Sequence, residues 1–227
     1  MISIKRILSV LLVMTFVFLS GCAGIFQKDD ASDLFHEAEL PVSLSNELVI
    51  TEAFLYSGEF PEDASFRKEK DVFALKVVNR SSKDLQLVRI YVTTDKKECL
   101  FEITTLPSKK AVTVLEKNAQ TLSYGEKILE IKEENKVFFE QKLSLESNKF
   151  QITPLDRVFN IKNISAEDFS SDIYVYFKKT DADGNYFGGI TFRSNAGKLK
   201  KDEFRQIPAS HFNKENSEVL FVGYAMQ

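Results

Sequence analysis

The sequence has no tryptophan, only two histidines and only two cysteines among 227 residues. His36 and His211 lie in different segments, outside any spacing that chelates a metal ion. There are nine glycines, without a phosphate-binding glycine loop or a βαβ rhythm, so we do not expect nucleotide binding. Serine-hydrolase, zinc-peptidase and Cys-x-x-Cys motifs are also missing. Carboxylates are abundant, which leaves a glycosidase pair open, but the sequence singles out no two of them.

The chain also lacks an apolar run long enough for a membrane-spanning helix. The apolar run at the amino terminus covers residues 7–19, which is 13 residues, whereas a spanning helix needs about 20. It follows Lys5 and Arg6, and this order is typical of a secretory signal. It ends in Leu19-Ser20-Gly21-Cys22.

This ending resembles the signal of bacterial lipoproteins, which closes with leucine, two small residues and a cysteine. The resemblance implies that Cys22 becomes the first mature residue and carries a diacylglyceryl thioether, often with a further acyl group on its amine. Two or more acyl chains anchor a protein stably. The protein would then sit on the exported face of the cell membrane, which is extracellular, or periplasmic in a two-membrane envelope. An ordinary signal with a chance cysteine and an uncleaved anchor are the alternatives.

The balance of charges argues against a nucleic-acid partner. Loss of Lys5 and Arg6 leaves 28 basic against 33 acidic residues, so residues 22–227 carry a net charge of −5. With Cys22 lipidated, Cys99 has no partner for an intramolecular disulfide. Cys99 alternates with Phe101 and Ile103, which predicts a buried thiol. A reactive or partner-linking thiol is the alternative.

Residues 22–47 are polar and acidic, and they predict a lipidated amino terminus followed by a flexible tether. One or two helical turns are expected at most, over residues 33–39. Residues 1–21 are then the signal peptide. The tether would hold the folded part clear of the bilayer.

From residue 48 onwards, apolar residues alternate with polar ones, which predicts β-strands. The strands are expected at 48–56, 71–79, 85–94, 99–103, 111–115, 173–177, 186–192 and 218–224. A loop is expected over 57–69. A hairpin is expected from 127–132 and 137–142 around a turn at 133–136, and a helix over 115–145 is the competing interpretation.

The second half repeats the first. Residues 159–165 match 75–81, and residues 173–177 match 88–92, with Asn79 and Asn163 in equivalent turns. The pattern is similar to that of small immunoglobulin-like domains, including the FxLYD type, found in many bacterial lipoproteins. We therefore expect a mainly β fold of one or two antiparallel immunoglobulin-like β-sandwich modules after the signal peptide and tether. The module boundaries are expected at 48–146 and 147–227.

One stretch resembles the start of a calcium loop. Asp181, Asp183 and Asn185 alternate as carboxylate and amide ligands do around a hard cation. A full loop also needs glycine at its sixth position and glutamate at its twelfth, where this chain has Tyr186 and Phe192. The alternative is a hairpin turn, because Asp183 and the glycine after it provide the backbone conformations that tight turns need.

A second candidate is a pair of tyrosines. Tyr174 and Tyr176 should share the outer face of one strand, where they would form a platform for a sugar or a protein. Ordinary cross-strand packing is the alternative.

Together these features predict a non-catalytic binding or structural module at the cell envelope, with no cofactor. Its partners would be the lipid bilayer, through Cys22, and another envelope protein or polymer. An enzyme that hydrolyses envelope polymers and the solute-binding component of a transporter are the alternatives. Solute-binding proteins of importers usually have two α/β lobes and a longer chain, which this sequence lacks.

Overall fold

The computed structural model describes residues 40–225, which form thirteen strands and no helix. The strands are β1 Val42–Ser43, β2 Leu48–Phe60, β3 Arg67–Asn79, β4 Leu85–Thr94, β5 Glu98–Leu106, β6 Ala111–Leu115, β7 Ile128–Phe138, β8 Phe150–Leu155, β9 Val158–Asn163, β10 Phe169–Thr180, β11 Tyr186–Leu199, β12 Phe204–Pro208 and β13 Ser217–Tyr224. The predicted mainly β class is therefore confirmed. Within this stretch, no helix has the length and apolar character needed to cross a membrane.

The strands form one large sheet and two small ones. The large sheet has seven strands in the order β1-β2-β3-β6-β11-β10-β13. The small sheets have three strands each, in the orders β5-β4-β7 and β12-β9-β8. All neighbours are antiparallel except β6 and β11, which run parallel.

The two halves of the chain share one topology. In the first half, β3 lies between β2 and β6, and β4 lies between β5 and β7. In the second half, β9 lies in the same way between β8 and β12, and β10 lies between β11 and β13. Each half is thus a six-stranded sandwich. The parallel pairing of β6 with β11 joins one sheet of the first sandwich to one sheet of the second.

The small sheets lie on opposite faces of the large sheet. Phe177 on β10 belongs to the core formed with β8, β9 and β12. The next residue, Lys178, points to the other face and contacts the Thr104 carbonyl oxygen on β5, as expected because successive strand side chains alternate in direction. The first core, which contains Phe73 and Phe101, fills the space between the large sheet and β5-β4-β7.

A buried asparagine closes the turn after β3. Asn79 is fully buried, and its amide group donates to the carbonyl oxygens of Lys83 at 2.9 Å, Leu106 at 2.9 Å and Pro107 at 3.3 Å. Its side-chain oxygen accepts from the backbone N–H of Ser81 at 3.0 Å and from the Ser81 hydroxyl at 2.7 Å. The Asn79 side chain thus provides hydrogen-bond partners for the backbone of the turn and links the turn to the end of β5.

The turn after β9 repeats this arrangement. Asn163 is fully buried and donates to the carbonyl oxygens of Glu167 at 2.8 Å, Leu199 at 3.4 Å and Lys200 at 3.0 Å. Its oxygen accepts from the N–H and the hydroxyl of Ser165 at 2.9 and 2.7 Å. The repeat predicted from the sequence is therefore confirmed at these turns. A division into separate modules at residues 146 and 147 stays a prediction.

The region after β6 differs from its predicted form. The structure has neither the hairpin over 127–142 nor the competing helix, but one continuous strand, β7. β7 is the edge of its sheet, because only β4 pairs with it. Charged residues are tolerated on such an edge, and Lys136 pairs there with Glu133 and Glu47, each at 2.8 Å. The polar run at 133–136 therefore lies within the strand.

The folded part also begins earlier than the composition indicates. β1 pairs with β2, and Leu40, Val42 and Leu44 pack against the first core. The predicted tether over 22–47 includes these residues. The expected loop over 57–69 is shorter than predicted, because β2 extends to Phe60 and β3 starts at Arg67. The signal peptide, Cys22, His36 and the predicted helical turns at 33–39 lie outside the described residues.

Candidate functional site

A pocket of about 350 Å³ lies where the first half meets the turn between β10 and β11. Its walls are formed by β2, β3, β6 and β11, on the face of the large sheet that turns away from the first core. The residues that line it are Glu52, Phe54, Leu55, Tyr56, Ser57, Lys76, Thr113, Asp181, Ala182, Asp183 and Phe187. Both halves of the chain therefore contribute to one concave surface.

Three aromatic side chains form the apolar part of this pocket. Phe54 and Tyr56 share a face of β2 because they are two residues apart on a strand. Phe187 lies beside Thr113 in the parallel pair of β6 and β11. The rings of Tyr56 and Phe187 are 5.3 Å apart and inclined at 51°. They form a corner rather than a flat platform.

The aromatic corner is well fixed. Tyr56 is 9% exposed and packs with Phe60, Val72 and Leu115 in a small cluster on this face. Burial raises the pKa of the Tyr56 hydroxyl to about 12, with a further contribution from the negative charge of Glu59. The hydroxyl therefore stays protonated at neutral pH and keeps its proton as a hydrogen-bond donor.

Charged residues surround the aromatic corner. Glu52 and Lys76 face each other across β2 and β3, with 3.0 Å between Oε1 and Nζ. Asp181 and Asp183 come from the turn between β10 and β11. Three carboxylates thus face one ammonium group, which leaves the pocket with an excess of negative charge.

Of the three predicted calcium ligands, Asp181 and Asn185 use their side chains in this turn, and Asp183 contributes its backbone N–H. The Asp181 carboxylate accepts the N–H groups of Asp183 at 3.0 Å and Asn185 at 2.8 Å. Its second oxygen lies 3.4 Å from the Asn185 amide nitrogen. Gly184 takes a positive φ of 78°, as a tight turn requires. Within residues 40–225, no group of three or more His, Cys, Asp or Glu side chains is arranged to hold a metal ion.

Tyr174 and Tyr176 lie on a different surface from the pocket. They are half-buried on the face of β10 that points away from the second core. Tyr176 stacks on Phe221 at 4.3 Å and 5°, and the Arg193 guanidinium lies 4.9 Å from the centre of the Tyr174 ring. The two tyrosines are therefore engaged in cross-strand contacts with β11 and β13. The structure does not bring them together with Asp181 and Asp183.

A buried ionic seam, formed by Glu62, Lys178 and Gly189, positions the pocket. The Gly189 N–H donates to the Glu62 carboxylate at 2.9 Å, and the Gly189 carbonyl accepts from Lys178 Nζ at 2.7 Å. Lys178 also donates to the carbonyls of Thr104 at 2.9 Å and Ile190 at 3.0 Å. These bonds hold β11 on the first half and so fix Phe187, two residues earlier, against Tyr56.

Burial acts strongly on both charges of the seam. It raises the pKa of Glu62 and lowers the pKa of Lys178, while the two opposite charges favour each other's ionised form. Lys178 has no exposed surface. Its three carbonyl partners match the three donors of an ammonium group. The geometry therefore favours an ionised lysine in the seam, which compensates the buried carboxylate across the junction.

The seam also depends on a residue without a side chain. A Cβ atom at Gly189 would overlap the Glu102 carbonyl oxygen, so no larger residue fits without movement of the backbone. β11 and β5 therefore approach each other closely at this point. The sequence gives no signal for this contact, because Glu102 and Gly189 are far apart along the chain.

The remaining candidates, Cys99 and His211, lie in packed surroundings outside the pocket lining. Cys99 is a free cysteine buried in the first core, and burial raises the pKa of its thiol to about 11. This confirms the predicted burial. His211 stacks against Phe66 and Phe192, with ring centres 5.2 and 4.9 Å away. Its pKa is lowered, first by burial and then by the positive charges of Lys179 and Arg157.

Compared with protein-family models, with curated proteins and with solved structures, the chain matches none of them.

Proposed function

We propose that this chain is a non-catalytic binding module of the bacterial cell envelope, anchored to the exported face of the membrane by lipid on Cys22. The Leu19-Ser20-Gly21-Cys22 ending and the preceding apolar run support the anchor. The partner is an envelope component that presents a small group to the folded part of the chain. In this proposal the two sandwiches provide a scaffold rather than catalytic groups.

The pocket between the two halves is the single observation that carries the binding role. Its volume of about 350 Å³ lies within the range of roughly 300–1,000 Å³ that small-ligand sites occupy. It combines aromatic walls with a few charged groups, which is the usual composition of a binding site. Of its carboxylates, Glu52 is paired with Lys76 and Asp181 is held by turn amides. Such fixed charges suit recognition rather than proton transfer.

The size of the pocket favours one second candidate, the solute-binding component of a transporter. In that case a free small molecule, and not a group on a larger partner, would fill the pocket. The two roles share the site and differ in the size of what is bound.

Site-directed photocrosslinking in cells tests the binding role. A photoreactive phenylalanine analogue at Ala182, an exposed residue of the pocket, should give adducts with an envelope component. The same analogue at Tyr124, which is 92% exposed and outside the pocket lining, is the matched control. Equal adducts at both positions would contradict the proposal, as would turnover of peptidoglycan by the purified protein.

Metabolic labelling tests the anchor. Radiolabelled palmitate should enter the wild-type chain and a Cys99→Ala variant but not a Cys22→Ala variant. Equal labelling of all three proteins would refute a lipid on Cys22.

A further inference from the structure

We infer that the pocket recognises an alkylammonium cation, such as a quaternary amine or the side-chain amine of lysine. This inference rests on the proposed binding function and assigns the chemical class of its ligand. It is carried by the shape of the aromatic corner, the charge of the surrounding residues and the way in which other aromatic rings of this protein are covered.

The shape of the corner suits a compact cation. Aromatic faces attract cations whose centres lie within about 6 Å of the ring centre. Tyr56 and Phe187 both line the pocket, and their ring centres are only 5.3 Å apart, so a cation in the pocket can lie within about 6 Å of both ring centres.

The charge of the pocket has the matching sign. Glu52 is neutralised by Lys76, whereas Asp181 and Asp183 add two negative charges to the pocket lining. The Asp183 carboxylate accepts no hydrogen bond and joins no ion pair within residues 40–225, so it is available to a ligand. A cationic ligand gains from the attraction of this charge, whereas a neutral ligand does not.

Other aromatic rings of the protein already carry a cation from the chain itself. Arg67 lies 4.7 Å from the centre of the Phe60 ring, and Lys179 lies 5.1 Å from the centre of the Phe66 ring. In the described part of the chain, no lysine or arginine lies over Phe54, Tyr56 or Phe187. The rings of the pocket therefore present faces that an external cation can occupy.

The direct test compares choline with 3,3-dimethyl-1-butanol, its neutral carbon isostere. Binding to the full-length lipidated protein in detergent micelles is measured by calorimetry, with sodium chloride added to equalise ionic strength. Choline should bind about tenfold more tightly, because a desolvated cation over aromatic rings gains about that factor over a neutral group. Equal affinity for the two compounds would overturn the inference.

Two variants locate the cation. Asp183→Asn should weaken choline binding about threefold and reduce its dependence on salt, since it removes an exposed charge without altering the fold. Phe187→Leu should weaken it about tenfold, whereas Phe204→Leu, at a 61% exposed residue of β12 outside the pocket, should not change it. Unchanged choline affinity in both pocket variants would refute this location.

Two further ligands show where the cation comes from and whether the pocket binds a neutral group instead. N-acetyl-lysine methylamide in place of choline tests a lysine side chain, and tighter binding than choline would assign the cation to a protein partner. N-acetylglucosamine is the neutral alternative. If it bound in a Phe187-dependent way while neither cation did, the pocket would still be a binding site, and only the alkylammonium assignment would be wrong.

Discussion

The turns at Asn79 and Asn163 have equivalent hydrogen bonds, so they allow the same prediction about unfolding free energy to be tested at two sites. We consider Asn79→Ala and Asn163→Ala, which remove the same five hydrogen bonds from the two halves. Alanine leaves the backbone path unobstructed, so the change isolates the amide group. In each turn, one of the carbonyl oxygens that lose their donor is buried, that of Leu106 or Leu199.

The magnitude follows from these partners. A buried polar group left without its partner costs about 1–3 kcal/mol. The other carbonyls of each turn are partly exposed and regain water, so they add less. We expect each variant to lose about 2–4 kcal/mol of unfolding free energy. For a folded region of this size, that lowers the melting temperature by about 5–15 °C.

Urea and thermal unfolding, followed by circular dichroism, measure the loss. Asn148→Ala, at an exposed turn residue, is the matched control and should stay within about 0.5 kcal/mol of the wild type. If Asn79→Ala or Asn163→Ala behaved like this control, the turns would not be stabilising and the reasoning would fail. The pair also tests the proposed modules. Separate modules would show two transitions, each shifted by one variant, whereas a single shared transition would show one cooperative unit.

Three further outcomes follow from buried groups. Lys178→Met should lower the unfolding free energy in urea by about 3–5 kcal/mol, because it leaves the Glu62 carboxylate buried without a compensating charge. The double variant with Glu62→Gln should recover part of this loss, and strictly additive losses from the two substitutions would contradict coupling in the seam. The unfolding free energy should fall between pH 10 and 12, because Tyr56 keeps its proton to about pH 12 when folded but titrates near 10.0 when unfolded. Tyr56→Phe should make this fall less steep, and an unchanged slope in the variant would contradict the role of Tyr56. In a Cys22→Ala background, Cys99 should resist iodoacetamide at pH 8 until guanidinium unfolds the chain, whereas rapid labelling of the folded protein would mean that the thiol is accessible.

Strands with one clearly apolar face could be predicted from the sequence. The segments 71–79 and 111–115 correspond to β3 and β6, because their alternating residues fill the first core. β7 could not be identified in the same way. It is an edge strand whose charged residues face solvent and neighbouring ion pairs, so its composition resembles that of a turn.

The candidate site was only partly predictable. The alternation on β2 places Phe54 and Tyr56 on one face, but Phe187 joins them through the parallel pairing of β6 and β11, which is a tertiary contact. Lys178 shows the same limit more sharply. A lysine beside Lys179 in a strand predicts solvent exposure, yet Lys178 is fully buried, because one carbonyl of another sheet and two of the neighbouring strand β11 accept its hydrogen bonds.

The parallel pairing of β6 with β11 also has a consequence for the protein during its synthesis, because β6 is made well before its partner. A growing chain presents all six strands of the first sandwich before β11 emerges, since residues 139–185 lie between the end of β7 and the start of β11. During that interval the outer edge of β6 has no strand beside it, and an unpaired edge recruits other chains. A chain truncated before Tyr186 would have an open edge at β6, and it would also lack Tyr186 and Leu220, which belong to the first core. The second half therefore closes an edge of the first half and adds residues to its core.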